Sequence, residues 1–239
     1  MSRRGKKYLD AAQKVERKKA YGPEEALKLV QEVSYANFDA TVELHLRMGL
    51  DPRRSDQQIR GIVRLPHGLG KAVHVVVFAT ADAVQIAKEA GADTIISDDE
   101  GLKRIMDGWT DFDVSIAVPA MMPKVGRLGR ILGRKGLMPN PKTGTVVQAA
   151  DLPRVIKEAK AGRVEYRLDR TGNIHCSIGK VSFSTEQLLD NLAAIMATIR
   201  RVKPSGSKGI YLKRMTLAPS MGPGVTVDPV EALELESTA

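Results

Sequence analysis

The chain has 239 residues, enough for one large or two small domains with a real core. Its 37 Lys and Arg against 28 Asp and Glu leave a net charge of +9, and that balance favours a polyanionic partner. No apolar run approaches the ~20 residues of a membrane span and no cleavable apolar leader opens the chain, so the expectation is a soluble cytoplasmic protein without membrane contact.

Residues 1 to 20 hold eight cations and two acids, read as a phosphate-seeking arm that ends near Tyr21-Gly22. Pro23 then opens a helix over EEALKLVQEV, with acids early and an apolar stripe of Ala26, Leu27, Val30 and Val33. From Phe38 to Met48 apolar and polar residues alternate: Thr41, Glu43, His45 and Arg47 on one face, Val42, Leu44, Leu46 and Met48 on the other. This is a half-buried strand, and Ile59 to Leu65 returns as a second. Pro66 to Gly70 breaks the pattern and marks the first boundary.

Beyond it the period changes. The nearly continuous apolar run Val73 to Ala79 is followed by a helix from Asp82 to Ala90, a strand at Thr94, a helix from Glu100 and a strand from Phe112 to Val118. Apolar strands alternating with helices predict a parallel sheet covered on both faces. Gly68-x-Gly70-Lys71 precedes the first strand of this unit, whereas a dinucleotide fingerprint must follow it, so it is read as a turn. Asp98-Asp99-Glu100 is read as a helix cap rather than a metal site. Between Phe78 and Asp113 nine acids face three cations, a surface that should avoid RNA.

Met122 to Val146 reverses that charge, with six cations (Lys124, Arg127, Arg130, Arg134, Lys135, Lys142) and no acid. Val125, Leu128 and Ile131, with Leu132, can bury one face of a short helix. Gly133 and Gly136 stop it, and Pro139 and Pro141 keep it from restarting, leaving a basic elbow at 133–144. Neither phosphate-loop nor dinucleotide spacing occurs here. After a capped helix from Asp151 and a second boundary at Ala161-Gly162, alternation returns in two strands. A helix capped by Ser184 runs to about Arg200. Strands at Ile210 to Leu217 and Val225 to Val227 close the domain. The last residues, 229–239, hold three Glu and no cation and are expected to form a disordered acidic tail.

Residues 1–67 and 160–228 therefore form a discontinuous α+β domain built from both chain ends, and 68–159 an inserted doubly wound (Rossmann-like) three-layer α/β domain. Hydrolase, zincin, redox and Walker motifs are absent. The lone Cys176 excludes an intramolecular disulfide, and His45, His67, His74 and His175 have no ligand spacing. His45 and His74 read as hydrogen-bonded structural histidines. No metal, cofactor or covalent chemistry is expected. Aromatic content of 4% argues against stacking many single-stranded bases, so an RNA partner would be read by shape and backbone. Arg200, Arg201, Lys203, Lys208, Lys213 and Arg214 form a second acid-free run suited to phosphates.

The run Gly126-x-x-Gly129-Arg-Ile-Leu-Gly133-x-x-Gly136-Leu-Met-Pro139-Asn-Pro-Lys142-x-Gly144-Thr-Val resembles the signature of the L-one family of large-ribosomal-subunit proteins, those of the mobile side stalk beside the transfer RNA exit site. Asp51-Pro-Arg-Arg-Ser-Asp56, Leu65 to Gly70, Gly91-Ala-Asp93, Gly108-Trp-x-Asp-Phe-Asp113 and Met221-Gly-Pro223 extend the likeness over nearly the whole chain. The resemblance implies that the split domain binds a stem-junction of large-subunit rRNA through Phe38, Thr41 and Glu43, through His175, Gly179, Lys180 and Ser182, and through Ser220, Met221 and Gly222. It also implies release of deacylated tRNA from the exit site, repression of the protein's own mRNA, and a monomer when free of the ribosome. Arg3, Arg4, Lys6, Lys7, Arg127, Arg130, Arg134 and Lys135 are candidates for RNA or tRNA phosphate contacts. Two positions depart from the family pattern: Asn37 stands where many members have Lys, which removes one phosphate contact, and Ser220 replaces the usual Thr and keeps its hydroxyl. A non-specific basic RNA chaperone and a nucleotide-using enzyme on the inserted domain are the rival readings.

Overall fold

A computed structural model describes residues 4–207 and 209–235. The chain divides into two compact units, the first formed by residues 1–70 and 164–239 and the second by 71–163.

In the first unit, β1 (Thr41–Met48), β7 (Asn173–Lys180), β8 (Leu212–Pro219) and β9 (Val225–Val227) form an antiparallel sheet in the order β7-β1-β8-β9. The alternation along β1 is realised residue by residue: Val42, Leu44, Leu46 and Met48 are buried, and Thr41, Glu43, His45 and Arg47 are not. The buried face packs on α2 (Pro23–Glu32) and α8 (Thr185–Arg201). α8 starts where Ser184 and Gln187 form a reciprocal capping box. It inserts Leu188, Leu192, Ile195, Met196 and Ile199 into the core. β2 (Arg60–Arg64) and β6 (Arg163–Arg167) make a separate two-stranded sheet.

Two terminal segments differ from expectation. The basic arm contains a helix, α1 (Lys6–Gln13), because Ala11 and, just beyond it, Val15 bury against the first unit's core. Its charged side chains and Leu9, 50% exposed, are left to solvent. The expected disordered tail 229–239 begins instead with α9 (Pro229–Glu234). There Asp228 accepts the Val230 N–H at 2.8 Å as a cap. Ala232 is fully buried, Leu233 packs on the core, and Arg200 donates to the Leu233 carbonyl at 3.0 Å. Residues 236–239 lie outside the described residues.

In the second unit, β3 (Val75–Phe78), β4 (Thr94–Ile96) and β5 (Val114–Ala117) form a parallel sheet in the order β4-β3-β5. Alternate residues of β3 feed two separate cores. Val75 and Val77 meet α3 (Ala81–Glu89) and α7 (Leu152–Lys160), while Val76 and Phe78 meet α4 (Asp99–Met106), α5 (Met122–Gly126) and α6 (Gly129–Leu132). The arrangement is a three-layer, doubly wound α/β unit. Asp98 caps α4, accepting from the Gly101 N–H at 3.0 Å. The single short helix expected before the elbow is two, interrupted at Arg127-Leu128 between Gly126 and Gly129, while Val125, Leu128 and Leu132 still bury together.

Candidate nucleic-acid interface

At one end of the first unit's sheet, three segments far apart in sequence meet. β1 supplies Thr41 and Glu43, the end of β7 supplies Lys180 and then Ser182, and the turn after β8 supplies Ser220, Met221 and Gly222. Thr41 pairs with Lys180, and Val42 pairs with Gly179 on one side and Pro219 on the other. A β-bulge between Val42 and Glu43 shifts the register against β7. Gly179 sits at that irregularity and is buried. A β-carbon there would come within 2.8 Å of Leu188 and 2.9 Å of Phe183, so this glycine shapes the strand end without facing solvent.

The floor of this end is polar and already hydrogen-bonded. Lys180 Nζ donates to Thr41 Oγ1 at 2.9 Å and to the Asp39 carbonyl at 3.3 Å. Ser182 donates its N–H and its hydroxyl to the Asp39 carboxylate, at 3.1 and 2.8 Å. The Ser220 N–H donates to the Thr41 carbonyl at 2.9 Å, and its hydroxyl lies 3.4 Å from Glu43 Oε1. Glu43 therefore stands between the Ser220 hydroxyl and His45, whose Nε2 lies 3.6 Å from Oε2, an acceptor for a 2′-hydroxyl or an exocyclic amine.

Two large apolar side chains stand out of this polar end. Phe38 is 59% exposed and Met221 is 72% exposed, which invites a stacking or apolar contact. Met221 is also the one positive-φ residue other than glycine among the described residues, at φ 69°, a conformation that costs about 1–3 kcal/mol unless its surroundings hold it. The Gly222 N–H donates to the Pro219 carbonyl at 2.9 Å, closing the turn. The Tyr35 hydroxyl donates to the Met221 carbonyl at 2.6 Å. The loop before β1 thus fixes both neighbours, Tyr35 holding the 220–222 turn and Asp39 holding Ser182. Neither residue stood out in the sequence; the aromatic of Tyr35 three positions before Phe38 is the signal that could have marked it.

Further along the same face, His175 pairs with His45 across the strands, their Nδ1 atoms 2.9 Å apart. At that distance one ring nitrogen can donate to the other. Burial, then the neighbouring His175, push the His45 pKa down against the opposing pull of Glu43. His45 is thus the hydrogen-bonded strand histidine expected, with its partner on the neighbouring strand. Asp169, 3.7 Å from His175, is raised by burial, but the N–H of Asn173 and the hydroxyl and N–H of Thr171 more than offset this and bring it down to about 2. Among the described residues no three metal-binding side chains cluster.

The cationic candidates fall elsewhere. Arg4, Lys6 and Lys7 lie at the start of α1 with exposed side chains, Arg4 stacking 4.2 Å over Tyr8; Arg3 lies outside the described residues. In the run from Arg200 to Arg214, Arg200 is tied to α9 and Lys203 lies 5.6 Å over the Tyr211 ring, while Lys208 is outside the described residues. In the second unit Arg127, Arg130 and Arg134 are exposed and make no side-chain hydrogen bond or ion pair among the described residues, while Lys135 reaches Thr110. The elbow after them is tied together by hydrogen bonds. Thr145 Oγ1 accepts from the Asn140 N–H at 2.7 Å, and Thr143 Oγ1 donates to the Asn140 carbonyl at 3.0 Å.

The sequence profile described as the Ribosomal protein L1p/L10e family matches residues 30–223. The chain is 56% identical over 237 residues to a protein of Chloroflexus aurantiacus named large ribosomal subunit protein uL1, covering 99% of this chain and all of that one. Proteins of the same name from Chloroflexus aggregans and Thermomicrobium roseum are 57% identical over 236 residues and 51% identical over 235, covering 99% and 98% of this chain and 100% and 97% of those proteins.

Proposed function

This chain belongs to the Ribosomal protein L1p/L10e family, and from that premise we propose that the polar end of the first unit's sheet is a binding site for a stem-junction of large-subunit rRNA. The protein itself is a structural constituent of the large ribosomal subunit, not an enzyme, and it works where bacterial ribosomes do, in the cytoplasm. The observation that carries the site is Met221, held in a left-handed conformation by Tyr35 and exposed beside the Thr41–Glu43–Ser220 floor. A strained, exposed apolar residue kept in place by its neighbours points to a contact made outside the chain. Phe38 offers a second apolar face, Glu43 and Ser220 offer hydrogen bonds to ribose and base edges, and Lys180 offers charge.

In this reading the second unit's Arg127, Arg130 and Arg134 attract tRNA or rRNA phosphates, and the protein helps deacylated tRNA leave the exit site. By presenting the same sheet end to an RNA that mimics the ribosomal one, it represses translation of its own messenger. The test is a salt series of binding constants for the stalk fragment of large-subunit rRNA against a length-matched unrelated hairpin. A preference persisting at physiological salt supports a shaped site. Equal affinities that collapse together as salt rises would instead describe a non-specific basic chaperone.

A further inference from the structure

The solvent face of the sheet does not end at the patch. The cross-strand pairs His45↔Thr216 and Thr216↔Thr226 carry it through β8 to β9, two strand spacings or roughly 10 Å from β1. There, between α1 and the strands, lies a hollow of about 410 Å³ lined by Arg4, Arg17, Arg214, Thr216, Thr226 and Gly224 among others, with no Asp or Glu in its wall. A β-carbon at Gly224 would come within 2.9 Å of the Thr216 methyl, so glycine leaves this side of the wall low.

Among the described residues, the arginines of this hollow have no ion-pair partner. Arg214 stands directly opposite Arg47 across the β1–β8 ladder, and like charges so placed repel. Arg47 turns toward β7, donating to the Thr171 carbonyl and, at 3.2 Å, to Asn173 Oδ1. Arg214 and Arg17 are exposed and make no side-chain hydrogen bond or ion pair among the described residues. Three guanidiniums around one concavity, with two threonine side chains between them, fit a tetrahedral phosphate better than any cation or apolar group.

We propose that this hollow is a second subsite of the RNA surface, taking a backbone phosphate of the strand whose bases or riboses meet Glu43, Ser220 and Met221. It rests on the rRNA reading above and adds to it: the interface spans the sheet from β7 to α1, with discrimination at one end and a phosphate clamp at the other. None of the arginines is core, so their replacement leaves the fold intact.

The experiment uses the full chain, the rRNA stalk fragment and the unrelated hairpin over a salt series, with Arg17→Ala/Arg214→Ala and Arg17→Lys/Arg214→Lys variants. The Ala pair should bind the fragment about tenfold more weakly at physiological salt, with the slope of log K against log salt reduced by about one to two. The Lys pair should recover most of the slope and part of the affinity. An Ala pair indistinguishable from wild type in affinity and slope, while the wild type still prefers the fragment, overturns the hollow alone. A wild-type protein with no preference for the fragment overturns both readings.

Discussion

The sheet end of the first unit and the arginine face of the second both suit RNA, but in opposite ways. At the sheet end, groups that could bond RNA are already engaged with one another, a carboxylate sits among them, and backbone strain is stored in Met221. On the second unit, Arg127, Arg130 and Arg134 are exposed cations in and beside two short helices, with no side-chain hydrogen bond or ion pair among the described residues. Fixed geometry can tell one RNA from another, whereas loose charge can only concentrate RNA nearby. Net charge is thus a poor guide to where specificity resides.

The most damaging challenge is removal of both apolar contacts. Phe38→Ala with Met221→Ala should cost about 1–3 kcal/mol per lost contact, a loss of about a hundredfold or more for the rRNA fragment and little for the unrelated hairpin, as read by filter binding. If both RNAs weaken alike, the contrast between the two regions disappears. Replacing Arg127, Arg130 and Arg134 together by Ala should do the reverse. Affinity falls for both RNAs by similar factors, and the salt slope drops by roughly 0.7–0.9 per lost phosphate contact, with the preference unchanged.

A gentler probe is Tyr35→Phe, which deletes the donor to the Met221 carbonyl and nothing else. The lost bond is worth about 1 kcal/mol, so preference for the fragment should fall several-fold with little change in the hairpin titration. Unaltered preference would mean that the 220–222 turn holds itself.

The smallest effect concerns pH. Because folding lowers the His45 pKa below its ordinary 6.5, the unfolded chain takes the proton first. Stability from this group is present above about pH 6.5 and is lost as pH falls below it. Asp169, brought down to about 2, adds a contribution present above pH 4 and lost only on approach to pH 2. Urea midpoints should therefore decline from pH 7 to 5 in the wild type and less in His45→Gln, with a further decline below pH 4.

Much of the fold was legible because period and burial coincide. The alternation in β1, the apolar run of β3 and the Ser184–Gln187 cap each name an element whose local preference agrees with its packing. α1 and α9 were not legible, since each is short and polar and forms only where one or two small residues, Ala11 with Val15 or Ala232, find an existing core. The break between α5 and α6 was hidden by an apolar spacing that continues across it. Composition carried no sign that Thr41, Lys180 and Ser220 would meet; the family pattern named them. Tyr35 and Asp39, which position the rest, act through a hydroxyl and a carboxylate aimed at partners more than a hundred positions away.

The first unit's discontinuity has a temporal consequence. The Ser220 hydroxyl reaches the Thr41 carbonyl 179 positions back in the chain, so at ~5–20 residues per second a growing polypeptide carries β1 for roughly 10–35 s before its neighbours on the sheet are all made. The second unit, continuous from 71 to 163, has every residue it needs well before then. An unfinished copy therefore holds no assembled sheet end, and on the rRNA reading proposed above truncated translation products would not compete with the completed protein for RNA.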